Sequence, residues 1–202
     1  MYRKLIPAEA AALCAHLMRL KPEERLTRFM GAISDESVSD YCDRIDWYRT
    51  VVIGFFESGT LRGAVEVHLG PVHPNWFHVT NWCEIGITVE SAWQEHGVAT
   101  ELLRRGLVVA RNRGASGLKI NCYGDNYRMQ HVAQKFGAHF RRYAGQSDAD
   151  IVAAPATAAS LYEEALDNGA GWLGFWCDVI AASPLRFWVG LPLPGHAPPR
   201  DS

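Results

Sequence analysis

Ser91–Gly114 reads "SAWQEHGVATELLRRGLVVARNRG", and how its beginning is read decides the fold. From Val98 onward the pattern is that of an amphipathic helix. Val98, Leu102, Gly106 and Val109 recur at helical spacing, and Leu103 and Ala110 widen the apolar stripe. Arg111, Arg113 and Gly114 make a C-terminal end. The start lacks the Ser, Thr, Asp or Asn that ordinarily caps a helix, and Gly97 stands there instead. The first amides of this helix therefore lack a local side-chain partner. They carry the positive end of the helix dipole, about half an elementary charge, and together they favour a phosphate. Gly97 permits the turn and a close approach to the backbone.

Outward from this helix the texture alternates. A short strand is expected at 2–6, with helices at 8–20, 22–30 and 35–46. "TVVIGFFE" and "LRGAVEVHL" are β-rich and separated by "SGT", a hairpin signal. After the break "PVHPNW", the strand candidate 77–90 leads into the helix, and "GLKINCYGDN" follows as another strand. "NYRMQHVAQKFG" is a second amphipathic helix with Met129, Val132, Ala133 and Phe136 inward and Gly137 as its stop. Strands at 138–145 and 148–155 come next. Ser160 and Glu163 then have the spacing of a capping box ahead of "LYEEALDN". The last twenty residues hold five of the ten prolines and predict no regular element. The order implies an α/β or α+β fold with a mixed sheet, with parallel neighbours across 78–123. One domain is expected over 1–182, followed by a Pro-rich tail over 183–202.

Composition narrows the function. Twenty basic and 22 acidic residues leave a net charge of −2, which is no footprint for nucleic acid or a membrane surface. The five cysteines are widely spaced and never paired as C-x-x-C, so a disulfide framework or zinc site is not expected and a cytoplasmic location is. His68, His73 and His78 have poor metal spacing, and no metal is expected.

The Walker sequence and the dinucleotide fingerprint are both absent, which disfavours a nucleotide hydrolase. What stands here is Gln94-x-x-Gly97-x-Ala99 after the strand "CEIGITVE". It resembles the pyrophosphate-binding motif Q/R-x-x-G-x-G/A of the GNAT acetyltransferase superfamily. "NYRMQHVAQKFGA" is similar to that family's N-x-x-[AM]-x-x-[LV]-x-x-K-x-G-[FA] helix. Residues 19–46 resemble the subgroup of acetyltransferase domains fused to ADP-forming acyl-CoA ligase-like chains, some of which modify protein lysines.

The resemblance implies a mostly antiparallel sheet with a splayed central parallel pair, and acetyl-CoA as co-substrate. The backbone of Glu95, His96, Gly97, Val98, Ala99 and Thr100, after Gln94, would hold the pyrophosphate. Ile87 and Val89 would offer main-chain bonds to pantetheine, and Asn126 would contact it by side chain. The expected reaction is transfer of acetyl to a primary amine, on a small molecule or a protein lysine, by direct attack in a ternary complex. The alternative is a non-catalytic acyl-CoA-binding sensor.

Strand alternation puts Cys83, Ile85, Ile87 and Val89 on one face and Glu84, Gly86, Thr88 and Glu90 on the other. A carboxylate in mid-strand is costly unless hydrated, paired or used. Glu84 is therefore the candidate base, against the plainer reading of a cross-sheet ion pair. The tyrosine that many relatives carry as general acid is Ala133 here, leaving Tyr127, Tyr123 and His131 as substitutes, Tyr127 first. Cys122 reads as a small hydrophobe rather than a nucleophile. Trp76, Phe77 and Trp82 are candidates for an acceptor pocket. Asp35, Glu36, Asp40 and Asp43 would either attract an amine or form a solvated helix face. Trp172, Phe175, Trp176, Phe187 and Trp188 would fold over the core or join a homodimer.

Overall fold

A computed structural model describes residues 1–70, 82–143 and 145–182. Seven strands form one sheet: β1 (Tyr2–Lys4), β2 (Thr50–Glu57), β3 (Thr60–His68), β4 (Trp82–Val89), β5 (Gly117–Tyr123), β6 (His139–Tyr143) and β7 (Gln146–Val152). Their order is β1-β2-β3-β4-β5-β7-β6. Every neighbouring pair is antiparallel except β4 and β5. The hairpin at "SGT" is tight. Ser58 and Gly59 take φ of 49° and 74°, and Glu57 pairs directly with Thr60. Two positive φ values match the right-handed twist of the flanking strands.

Helices cover both faces. α1 (Ala10–Arg19), α2 (Pro22–Phe29) and α3 (Asp35–Asp43) lie on one side; α4 (Val98–Asn112) and α5 (Tyr127–Gln134) lie on the other. Leu13 and Leu17 of α1 and Val38 of α3 meet Val52, Phe56 and Ala64 of the sheet. Leu102, Leu103 and Val109 of α4 and Ala133 of α5 meet Val65, Val67, Cys83 and Ile85. Burying each larger aliphatic side chain contributes roughly 1.5–3 kcal/mol. The sheet's two faces thus divide between two cores, and β3 and β4 run between them.

The last helix, α6 (Ala158–Ala182), corrects an expectation. The cap is Thr157, not Ser160. Thr157 Oγ1 accepts from the Ser160 N–H at 3.1 Å, and Ser160 Oγ accepts from the Thr157 N–H at 3.0 Å. Glu163 pairs instead with Arg104 of α4. The helix continues well past residue 168 and packs on β1, where the Arg3 guanidinium lies 4.8 Å from the Trp172 ring. Gly171 permits that contact: a Cβ there would come within 2.3 Å of Arg3 Cβ. Among the described residues no helix is long and apolar enough to cross a membrane.

The expected strand start at 77–81 and the tail at 183–202 lie outside the described residues. So do His73, Trp76, Phe77, His78, Phe187 and Trp188, and the side chains of Phe175 and Trp176.

Candidate active site

The parallel pair opens into a wedge. Among the described residues, β4 and β5 pair only at Trp82–Gly117, Cys83–Leu118 and Glu84–Lys119. Beyond Glu84, β4 keeps its ladder with β3 through Val89 but has no partner residues on β5. One backbone edge of Ile85–Val89, including Ile87 and Val89, therefore faces a gap that an extended ligand can line.

Past the end of β4, a single 3-10 turn (Ser91–Trp93) leads into the loop before α4. Glu95 and Gly97 both take positive φ, 65° and 79°. For Glu95 this backbone costs about 1–2 kcal/mol, and it turns successive N–H groups to a common side, as in anion-binding nests. Gly97 occupies the cap position with no side-chain hydrogen bond, and the first helical bond is Glu101 N–H to Gly97 O at 3.0 Å. Among the described residues nothing accepts from the N–H groups of Glu95, His96, Gly97, Val98, Ala99 or Thr100. A Cβ built at Gly97 would meet nothing within 4 Å, so no protein atom crowds the loop beside that residue. The bare helix start anticipated in the sequence is present and unsealed.

Side chains brace this loop from both walls of the wedge. Gln94 Nε2 donates to Val89 O and to Glu24 Oε1 of α2, each at 2.8 Å. Its Oε1 accepts from Arg128 Nη1 of α5 at 2.6 Å. Ser91 Oγ donates to the same Glu24 oxygen at 2.7 Å, and Arg128 pairs with Glu95 at 3.4 Å. The Gln94 side chain is thus committed to holding the loop. Asn126 caps α5, its Oδ1 accepting from Met129 N–H at 3.1 Å. His96 Nδ1 lies 2.6 Å from Gln94 O.

Glu84 sits where the wedge closes, on the α1–α3 face of the sheet. It is exposed, and Asn121 Nδ2 of β5 donates to its Oε1 at 2.9 Å. His68 is its register partner on β3. One step along, Glu66 faces Gly86 in register and is fully buried. Arg28 of α2 reaches Glu66 Oε1 at 2.7 Å, and the Tyr41 hydroxyl of α3 donates to Oε2 at 2.5 Å. Burial alone would raise the Glu66 pKa; the Arg28 charge and these bonds outweigh it and hold the carboxyl below its usual range. A Cβ at 86 would come within 2.4 Å of the Arg28 guanidinium, so any larger residue there would have to push Arg28 off Glu66.

Of the other candidates, Tyr127 is 70 % exposed at the start of α5, and Ala133 is buried in the core. Tyr123 is half-buried and His131 exposed. Cys122 is buried, donates to Ser147 O at 3.5 Å, and has its pKa raised by burial, which fits packing rather than nucleophilic work. Trp82 is half-buried, and its ring lies against Gly117. Asp35, Glu36, Asp40 and Asp43 are all exposed, with Asp35 paired to Arg25. Sequence reasoning missed Asn121, Glu24, Arg128 and the Arg28–Glu66–Tyr41 cluster. The Glu66 signal was available, since "GAVEVH" places a carboxylate in mid-strand just as "CEIG" does.

A second buried network lies nearer the wedge mouth. His16 of α1 is 0 % exposed, with Nε2 at 2.8 Å from Thr88 Oγ1 and Nδ1 at 3.1 Å from Glu90 Oε1. Arg19 and Arg62 also bind Glu90, each at 2.9 Å. Burial lowers the His16 pKa despite the Glu90 contact, and burial lowers that of His68 too. For a depressed folded pKa, stability is full above the unfolded value, about 6.5 for His, and is lost as pH falls towards the folded one. Unfolding free energy is therefore expected to fall between pH 6.5 and 5, by up to about 1.4 kcal/mol per pH unit per histidine. Denaturant titrations across that window should show the slope reduced in His16→Asn. Carboxylates contribute only lower, near their unfolded values of about 4. A flat parent profile would refute this.

An acetyltransferase (GNAT) domain profile matches residues 1–139. No relative is found among curated proteins. Solved structures share the fold. The GNAT domain of S. lividans PAT superposes with a TM-score of 0.62 at 20 % identity, over 75 % of this chain and 89 % of that one. Salmonella typhimurium yncA, solved with its cofactor acetyl-CoA, gives 0.58 at 16 %, over 78 % and 96 %. The ribosomal-protein-alanine N-acetyltransferase of Brucella melitensis gives 0.54 at 15 %, over 74 % and 96 %. With more than two thirds of its length matched by the family profile, and a wedge and bare helix start in the expected places, this chain belongs to the GNAT acetyltransferase family.

Proposed function

We propose that the protein transfers an acetyl group from acetyl-CoA to a primary amine, of a small molecule or a protein lysine, by direct attack within a ternary complex. The carrying observation is the row of unpartnered N–H donors from Glu95 to Thr100, set at the open end of the β4–β5 wedge. Those donors and the dipole of α4 fit a diphosphate. The edge at Ile87 and the Val89 N–H fits the amides of pantetheine, while Val89 O is held by Gln94. Asn126 keeps its Nδ2 for the same ligand, since only its Oδ1 is spent on the α5 cap. Acetyl-CoA, when bound, supplies an activated thioester.

The remaining work falls to this chain. An alkylammonium resembles lysine, with a pKa of about 10.4, so the acceptor must lose a proton before it attacks. Glu84 takes that proton directly or through one water, and Asn121 fixes the direction of its carboxylate. The Ile87 N–H faces the carbonyl oxygen as it gains charge. As the C–N bond forms the C–S bond breaks. The sulfur takes a proton from Tyr127 or from solvent, and a thiol pKa of about 8.5 makes unassisted departure feasible.

Gly97→Val tests the cofactor half. The valine strains a backbone at φ 79° and adds bulk beside the donors. Affinity for CoA by calorimetry is expected to drop about tenfold or more, the scale of losing one charge-assisted hydrogen bond to the diphosphate. Unchanged affinity would contradict the assignment. The sensor reading keeps one observation in its favour, the buried Ala133 where many relatives carry tyrosine. It predicts CoA binding without turnover.

A further inference from the structure

Beside the proposed base lies a cavity of about 420 Å³ that the acetyl-transfer reading leaves unexplained. It opens between the end of α3 and the ends of β2 and β3, and is lined by Tyr41, Arg44, Asp46, Arg49, Thr50 and His68. Its size lies within the range of small-molecule sites, about 300–1,000 Å³. Its base is rigid, because the Tyr41 hydroxyl is anchored on buried Glu66 and His68 Nδ1 sits 3.2 Å from Thr50 Oγ1. His68 is the register partner of Glu84. Directly opposed residues on one sheet face lie roughly 4.5–5.5 Å apart at Cβ, so the cavity and the base adjoin.

The lining is charged in a particular way. Arg44 Nε donates to Asp40 O at 2.9 Å and Arg49 Nη2 donates to Leu69 O at 3.3 Å. Neither arginine has a carboxylate partner among the described residues. Asp46 is turned to its own loop, its Oδ1 accepting from Tyr48 N–H at 3.0 Å. Burial lowers the His68 pKa. A cationic rim thus stands next to a lone acceptor carboxylate, Glu84. Amines without an anionic group use only one end of that pair, whereas a guanidinium fork matches a carboxylate.

We propose that this cavity is the acceptor site and that it selects small amines bearing a carboxylate, with Arg44 and Arg49 holding the anionic group while the amine faces Glu84. This rests on the acetyl-transfer reading and names its substrate class. The test uses glycine, β-alanine, γ-aminobutyrate and ε-aminocaproate, each beside its primary amide, with acetyl-CoA. At one or more chain lengths the acid should exceed its amide in kcat/KM by about tenfold, the scale of one charge-assisted hydrogen bond. In Arg44→Gln/Arg49→Gln the ratio should collapse towards one, with CoA affinity unchanged. Equal rates for acids and amides throughout, or a preference that survives the double substitution, would overturn the proposal. Should acetyl-CoA bind and no amine react, the transferase reading fails on its own. Calorimetric binding of the same acids to the CoA-loaded protein then decides the cavity: binding abolished in the double variant upholds it, and no binding to the parent refutes it.

Discussion

Glu84→Gln is expected to lower kcat/KM for amine acetylation by roughly 10²–10³-fold, within the span of general-base contributions, while the Kd for acetyl-CoA holds. The substitution keeps the shape of the side chain and an oxygen for the Asn121 N–H, so the end of the wedge stays built. What it removes is the only function a glutamine cannot supply, acceptance of the ammonium proton. The loss should shrink as pH rises towards the amine's own pKa, because the acceptor then arrives deprotonated. Tyr127→Phe should cost less, below about tenfold, since water reaches an exposed position and a thiolate leaves readily. Steady-state rates across pH, with CoA binding as control, check both. A Glu84→Gln enzyme within threefold of the parent would remove the base assignment. Absence of turnover in the parent itself would favour the sensor reading.

Arg28→Leu is expected to lower unfolding free energy by about 3–5 kcal/mol at pH 7, the usual cost of stranding one member of a buried ion pair. Glu66 is 1 % exposed and the Arg28 side chain 12 %, so solvent does little to soften the loss. Tyr41 would remain as one donor, too little for a charged carboxylate. The sign with pH follows from the depressed Glu66 pKa. Its contribution is present above the unfolded value, about 4.3, and is lost as pH falls through the folded one. The gap between parent and variant should therefore narrow in acid. Urea denaturation at pH 7 and pH 3 measures it, and a loss below about 1 kcal/mol at pH 7 would mean that the cluster does not brace α2, α3 and β3.

Local chemistry was the part legible in the sequence. The bare start at Gly97, the positive-φ hairpin at Ser58–Gly59, the alternation that turns Glu84 away from Ile85, and the stop at Gly137 are each set by residues a few positions apart. The bonds that shape the site are not. Gln94 meets Glu24 across 70 positions, His16 meets Glu90 across 74, and Arg28 meets Glu66 across 38. Nothing in a linear pattern announces such partners, although an unexplained carboxylate in mid-strand announces that one exists. The misplaced cap of α6 has a different cause. Thr157 and Ser160 satisfy each other's N–H groups, and Ser160 Oγ also donates to Asn112 Oδ1 at 2.5 Å, so the helix begins one turn earlier than Ser160 and Glu163 imply. Its three glycines, Gly169, Gly171 and Gly174, look like breakers, yet Gly171 is where the helix packs tightly on Arg3 of β1.

The most direct measurement is a crystal structure of the complex with CoA. The account predicts diphosphate oxygens within about 2.7–3.2 Å of backbone nitrogens among Glu95–Thr100, with pantetheine along the free edge of β4. A diphosphate bound elsewhere, with those nitrogens facing only solvent or protein, would contradict it.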